Sequence, residues 1–282
     1  MIFFSQPGKF ALDSEGLDSE GEPDWVLFGV PYDSTSSFNT GARFGPDSIR
    51  EASRNLEVYD CELKVDLTSV RLRDLGNVNV RLGDPGANFD IVKKAVSEVT
   101  REVRKENFIV LGGEHTISYP VVSAVEPDVF ISLDAHLDLR DEYLGEPLSH
   151  ACTSRRIHEI CDVHVYGFRE CSKEEYLYAQ ENNLDVYNSL EIDDITYPRN
   201  KRIHLSIDMD VLDPSIAPNV SNPVPGGLNF REVVKIVAAI FERNTIVSLD
   251  LCEVCSRYAD TTAVTAAYLL YKTLALWRSS HE

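Results

Sequence analysis

The chain has 282 residues, enough for one large core, and its 43% hydrophobic and 26% charged content is ordinary for a soluble globular protein. A net charge of -19, from 27 basic against 46 acidic residues, argues against nucleic-acid partners and against an anionic membrane surface, and would steer a small cation inward. The longest apolar segment, 263–277, is interrupted by Thr265, Lys272 and Thr273, and Met1-Ile2-Phe3-Phe4-Ser5-Gln6-Pro7 lacks the basic flank and apolar core of a secretory signal. The expectation is a cytoplasmic protein with no membrane span.

In chain order, residues 1–24 form an N-terminal arm, polar and acidic over 11–24 and expected at the surface. The first strand is predicted at 24–30, followed by a glycine-bearing loop at 35–45. Gly45-Pro46-Asp47 opens a helix running to Asn55, since proline suits a first helical turn. A strand with a turn at Gly76 occupies 70–80. Ile91, Ala95, Val96, Val99 and Val103 recur at helical spacing, so 89–105 reads as an amphipathic helix. Strand 107–111, a short helix from Thr116 and strand 129–133 follow, then a loop at 139–149. Helix 154–160 precedes strand 163–167, and helix 173–182 precedes a short strand at 184–187. Strand 203–209 runs into a proline-bearing structured loop at 214–227. Helix 230–243, strand 245–251 and a final helix at 260–279 end the chain. The alternation predicts one α/β domain over 1–282: three layers, with about eight mostly parallel strands between helices on both faces.

Six cysteines, Cys61, Cys152, Cys161, Cys171, Cys252 and Cys255, show no disulfide framework. Cys252 and Cys255 sit in a strand-like run and read as small buried hydrophobes. His158, His164 and His204 read as ordinary structural residues, and Asp213-Pro214 as a turn that ends a strand.

Chemistry concentrates at three strand ends. The apolar run 129–133 delivers Asp134, His136 and Asp138 at alternate positions, which puts all three on one side of an extended chain. Carboxylates with one imidazole suit a hard or borderline divalent cation. Strand 203–209 ends in Asp208 and Asp210, and strand 107–111 runs into Gly112-Gly113-Glu114-His115. In an open parallel sheet, sites are built at that carboxyl edge.

The segments Gly112-Gly113-Glu114-His115, Asp134-Ala135-His136-Leu137-Asp138 and Ser206-Ile207-Asp208-Met209-Asp210-Val211-Leu212-Asp213-Pro214 resemble the three signatures of the ureohydrolases. That family holds arginase, agmatinase and their relatives. Gly29-Val30-Pro31-Tyr32-Asp33 and Gly41-Ala42-Arg43-Phe44-Gly45-Pro46 make the agmatinase branch the better match. The resemblance implies the same three-layer arginase/deacetylase-like fold and a homo-oligomer, a trimer or hexamer. His115, Asp134, His136, Asp138, Asp208 and Asp210 match its metal ligands. Four aspartates balance two divalent cations, whereas an empty site would leave carboxylates raising one another's pKa values. Oxygen-rich ligation with two imidazoles favours manganese over zinc, so the expected cofactor is a pair of Mn2+ ions.

By the same resemblance, Asp138 passes a proton to the departing amine, His150 shuttles protons and Glu253 binds the guanidinium. The plainer alternative pairs Glu253 structurally with Arg257. Arg140 sits where the family contacts the far end of the substrate, and is expected to be neutralised by Asp141 and Glu142 or to point away from the pocket. Glu114 replaces an aspartate, and Asn219-Val220-Ser221-Asn222 replaces the family's Gly-Thr-Gly-Thr. The function implied is hydrolysis of a small cationic guanidino compound to urea, foremost agmatine to putrescine in polyamine biosynthesis. Aminopropylagmatine, guanidinobutyrate or arginine as substrate, a deacetylase-like amidohydrolase, and a non-catalytic metal-stabilised scaffold are the alternatives.

Overall fold

A computed structural model describes residues 4–5, 8–14, 22–103 and 107–281. In chain order the strands and α-helices are β1 (Phe4–Ser5), β2 (Trp25–Val30), α1 (Gly45–Ser53), β3 (Tyr59–Asp60), β4 (Val65–Asp66), β5 (Leu72–Val78), α2 (Pro85–Val103), β6 (Phe108–Gly112), α3 (Ser118–Val125) and β7 (Val129–Leu133). There follow α4 (Thr153–His158), β8 (Asp162–Phe168), α5 (Lys173–Glu181), β9 (Asp185–Asn188), β10 (Arg202–Asp208), α6 (Phe230–Phe241), β11 (Thr245–Cys252) and α7 (Thr261–Ser279).

Among the described residues, nine strands form one sheet in the order β1-β5-β2-β6-β11-β10-β7-β8-β9, and β3 and β4 make a separate ribbon. All neighbours in the large sheet run parallel except β1, which pairs antiparallel with β5. The eight expected strands are present, and the ninth is the two-residue β1, too short to carry a period-two pattern. Its Phe4 ring meets Phe28 edge-on at 6.0 Å.

Alternation along the central strands divides the core, because successive side chains point to opposite faces. Leu27, Ile109, Ile131 and Leu205 pack with Ile49, Val237 and Leu270 from α1, α6 and α7. Phe28 and Val110 pack on the other face with Val96 of α2 and Val121 of α3. Farther along that face, Phe130 and Val165 meet Ile157 of α4 and Ala179 of α5. Strands covered on both faces explain the continuous apolar runs.

Two expectations need correction. Helix α2 begins at Pro85, four residues before the expected start at Phe89, with the Asp84 carboxylate accepting from the Ala87 N–H at 2.9 Å; residues 104–106, at its expected end, lie outside the described residues. The arm is also not simply a surface segment. Phe10 and Leu12 are buried in the core, and the Phe10 N–H donates to Asp74 at 2.8 Å. Residues 15–21 of it lie outside the described residues. No helix among the described residues is long and apolar enough to cross a membrane.

Asp74 is the hub of this corner. Arg50 of α1, 1% exposed, forks onto both of its oxygens at 2.8 and 2.9 Å and also donates to Asn77 at 2.6 Å. The pair fixes α1, and with it the preceding loop, against β5. Breaking a buried pair by removing one partner costs about 3–5 kcal/mol, while an apolar replacement of both costs far less. Arg50→Met is therefore expected to lower the unfolding free energy by about 3–5 kcal/mol. Denaturant titration of Arg50→Met/Asp74→Leu is expected to recover part of that loss.

Candidate active site

Strands β6, β11, β10 and β7 are consecutive in the sheet, and their carboxyl ends carry the polar cluster. After β6 the chain turns through Gly113, where an added Cβ would collide with the Tyr32 carbonyl. This close crossing lets the Glu114 N–H donate to that carbonyl at 2.7 Å and places His115 in a short 3-10 turn. Asp208 ends β10 and accepts from the Asp210 N–H at 2.9 Å. The carboxylate of Asp134 accepts from the His136 N–H at 2.7 Å, folding the chain so that ligand-type side chains converge.

The structure brings together all six residues singled out as metal-ligand candidates. His115 Nδ1 lies 3.0 Å from Asp134 Oδ2, 3.0 Å from Asp138 Oδ2 and 3.5 Å from Asp208 Oδ2. His136 Nδ1 lies 3.0 Å from Asp210 Oδ2 and 3.6 Å from Asp134 Oδ1. Three donor groups result among the described residues, His115–Asp134–Asp138, Asp134–His136–Asp210 and His115–Asp208–Cys252, each with ligand atoms within 4.8 Å of one another. Asp134 belongs to the first two, one oxygen toward each. His115 Nδ1 is buried without a hydrogen-bond partner, as expected of a lone pair aimed at a cation. The donor set therefore fits two adjacent divalent ions.

Electrostatics carries the same message. Burial, then the Asp134 charge, pushes Asp138 up to about 7. Burial and the charges of Asp210 and Asp134 push Asp208 well above the usual range. Asp134 is lowered: against the burial effect, the neighbouring His115 and His136 imidazoles prevail. Burial opposes charging of His136, yet Asp210 and Asp134 raise it to about 12. Without cations the cluster holds protons in their place.

A buried relay lies behind His115. Its Nε2 is 2.9 Å from Ser206 Oγ, which donates to Asp250 Oδ1 at 2.6 Å. Asp250 Oδ2 is 2.7 Å from His204 Nε2, and His204 Nδ1 is 2.7 Å from Ser248 Oγ. Because Asp250 takes the Ser206 proton, Ser206 accepts from His115 Nε2–H and leaves Nδ1 as the lone-pair nitrogen. His204, expected to be an ordinary residue, belongs to this relay. The signal was available: polar residues at alternate positions of buried strands, 204, 206 and 208 against 248, 250 and 252, pair in register and must satisfy one another.

A cavity of about 230 Å3 opens over the cluster, lined in part by His150, Glu253, Arg140, Tyr143 and Glu170. Glu253 accepts from the His115 N–H at 2.7 Å and from the Ser221 hydroxyl. It is not paired with Arg257, whose guanidinium lies 4.6 Å over the Phe44 ring. Burial raises the Glu253 carboxyl to about 8, with the Ser221 hydrogen bond opposing. Asn222 reaches His136 Nε2 at 2.9 Å, so two residues of the divergent 219–222 loop hold site residues directly. Burial lowers His150 to about 4. Cys252 Sγ lies 3.7 Å from Asp208 Oδ2, a nearness that its reading as a mere small hydrophobe did not anticipate.

Arg140 needs a further correction. It lines the cavity, and Glu175, not Asp141 or Glu142, faces it at 3.6 Å. Its guanidinium also lies 5.1 Å over the Tyr143 ring, while Asp141 binds Arg156 at 2.5 Å. The partner was hidden because Glu175 is 35 residues away and doubles as the capping carboxylate of α5.

A nine-stranded, largely parallel sheet with two abutting carboxylate–imidazole sites at its carboxyl edge defines a metal-dependent α/β hydrolase of the arginase/deacetylase-like class. The model of the Arginase family matches residues 23–275, and the chain belongs to that family, whose members are binuclear metal enzymes. It is 36% identical over 266 residues to an agmatinase of Pyrococcus horikoshii, covering 90% of this chain and 92% of that one. It is 37% identical over 257 residues to an N(1)-aminopropylagmatine ureohydrolase of Thermococcus kodakarensis, covering 89% of each. The agmatine ureohydrolase structure of Thermoplasma volcanium superposes with a TM-score of 0.85 at 30% identity, over 99% of this chain and 96% of that chain.

Two predictions follow from the cluster's physics. Ser206→Ala removes the acceptor for His115 Nε2–H and is expected to weaken metal binding about 10- to 100-fold, read by competition with a chelator. Asp138 is raised from 3.8 to about 7, so the folded metal-free site binds more protons than the unfolded chain over that interval. Its contribution to stability is then lost as pH rises through 7, whereas a metal ion must displace that proton. The rise in Tm on adding metal is expected to be larger at pH 8 than at pH 6 in paired melting curves.

Proposed function

We propose that the protein hydrolyses a guanidino C–N bond and releases urea, with agmatine as substrate and putrescine as the second product. The observation that carries this reading is the pair of donor groups sharing Asp134 beneath a cavity that also contains the Glu253 carboxylate. His115, Asp134, Asp138 and Asp208 would hold one ion, and Asp134, His136, Asp208 and Asp210 the other; hard oxygen donors with two imidazoles suit manganese. When bound, the metal pair supplies Lewis acidity and an acidified water for attack at the guanidinium carbon.

The protein's own groups do the remainder. Glu253 accepts N–H bonds from the planar guanidinium and fixes its carbon over the metal cluster. Asp138, at the metal cluster, passes a proton to the departing amine. His150 at the cavity wall, neutral at physiological pH, carries protons between the site and water. Arg140 is engaged by Glu175 and Tyr143, which disfavours a carboxylate-bearing far end, whereas Glu170 is exposed at the rim and suits a cationic one. That exposed carboxylate also favours a second reading, an aminopropyl-extended agmatine of the kind named for the Thermococcus kodakarensis relative. A deacetylase-like amidohydrolase or a bare scaffold would not need two donor groups. The family resemblance and the acidic surface also support a cytoplasmic homo-oligomer serving polyamine biosynthesis.

Urea release with manganese present, measured as kcat/KM for agmatine, aminopropylagmatine, guanidinobutyrate and arginine, tests the reading. A cationic substrate is expected to lead, and Asp208→Ala to abolish turnover. Victory for a carboxylate-bearing substrate, reversed by Arg140→Ala, would overturn the agmatine assignment and leave urea release standing.

A further inference from the structure

The loop between β2 and α1 contributes one side chain that the proposed mechanism does not use. Thr35 sits between the buried Glu114 and His150. Its N–H donates to Glu114 Oε2 at 2.7 Å and its hydroxyl to Glu114 Oε1 at 2.6 Å. Thr116 donates to the same Oε1 at 2.6 Å. The other side of the Thr35 hydroxyl faces His150: Oγ1 accepts from the His150 N–H at 3.0 Å and lies 3.2 Å from Nδ1. Glu114 is 0% exposed, and no cation pairs with it among the described residues.

Proton accounting fixes what these contacts mean. Burial raises the Glu114 carboxyl, and its hydrogen bonds from Thr116 and Thr35 oppose that; in its ionised form it takes the one hydroxyl proton of Thr35. Toward the imidazole, Oγ1 therefore presents only lone pairs, so the favourable partner at 3.2 Å is an Nδ1–H. Ser149 Oγ, 3.3 Å from the same nitrogen, and the cavity-lining Ser37 Oγ, 3.5 Å from Nε2, can each accept or donate and do not decide the matter. We infer that Glu114, acting through Thr35, is a positioning residue that locks His150 in its Nδ1–H tautomer and leaves the Nε2 lone pair available to the cavity. Glutamate in place of the aspartate expected before His115 is what spans the distance, since one methylene fewer would withdraw the carboxylate from Thr35.

The inference rests on the proposed role of His150 as proton carrier, because only the Nε2 lone pair can take up a proton from the site. The arrangement resembles a carboxylate orienting a catalytic imidazole, with a hydroxyl inserted between the two.

The test combines ring 15N shifts of His150, recorded with a diamagnetic divalent ion bound, with urea-release kinetics and metal content. The native protein is expected to show the Nδ1–H form. Thr35→Val is expected to lose that form and to lower kcat about tenfold or more, within the range of one general acid–base group, at little change in KM or metal content. Thr35→Ser, which keeps the hydroxyl, is expected to restore both the tautomer and most of the rate. Glu114→Gln presents a donor to Oγ1, frees the Thr35 proton for Nδ1 and should yield the opposite tautomer. Thr35→Val/His150→Ala is expected to be no slower than His150→Ala, as residues acting in one unit are non-additive. An unchanged tautomer and kcat in Thr35→Val, beside a slow His150→Ala, would overturn the lock and leave the proton-carrier role intact. A wild-type kcat in His150→Ala would instead remove that role, and the 15N shifts would still decide whether the lock exists.

Discussion

Crowded carboxylates govern this molecule. Four aspartates and two histidines meet at the edge of four adjacent strands, where desolvation makes each uncompensated charge expensive. Burial and neighbouring charge push the Asp138 and Asp208 carboxyls up, while Asp210 and Asp134 raise His136 against the effect of its burial. Such an arrangement is poorly suited to stability by itself and well suited to divalent cations. Two of the residues concerned, Asp138 and Glu253, also adopt φ values of 50° and 65°. Left-handed backbone at non-glycine residues costs on the order of 1–3 kcal/mol and persists only where the surroundings impose it. The fold thus sustains both charge and backbone strain at one edge.

What sustains them is a scaffold of fully partnered polar groups. The Arg169 guanidinium donates to the carbonyls of Asp210 at 2.6 Å and Val224 at 2.7 Å, tying the turn after β10 to the loop that follows it. Asp213 accepts from the Ser215 hydroxyl at 2.6 Å, the Ser215 N–H at 3.0 Å and the Gly226 N–H at 2.9 Å, closing the same loop, and these bonds lower its pKa to about 2. That closure brings Ser221 to Glu253 and Asn222 to His136. Glu175 caps α5 at Ser172 and accepts from the Leu139 N–H at 3.1 Å, so a helix start and a cavity wall share one carboxylate.

The fold was largely legible because its central strands are buried on both faces and its helices are amphipathic, two patterns with distinct periods. The site's ligand candidates were legible because alternate spacing and strand-end position are local properties of Asp134, His136, Asp138, Asp208 and Asp210. What escaped was non-local. Nothing near Arg140 points to Glu175 and nothing in Thr35 announces Glu114, whereas the His204–Asp250 pair was legible only by setting the polar alternation of two separate strands side by side. The burial of Phe10 escaped for a related reason: two apolar residues in an acidic stretch gain a core position only through the Asp74–Arg50 corner that receives them.

The departures from the family signatures acquire a common physical meaning. Glu114 in place of aspartate and Ser221 and Asn222 in the 219–222 segment do not alter the donor set that faces the metals. They alter the hydroxyls, amides and carboxylates that hold His150, Glu253 and His136 in position. The far wall is built on different terms, from Arg140, Tyr143 and Glu170, with Arg140 compensated by Glu175 at 3.6 Å. The charge of Arg140 is thus balanced by Glu175 and not by the carboxylates gathered around His115 and His136 at the sheet edge.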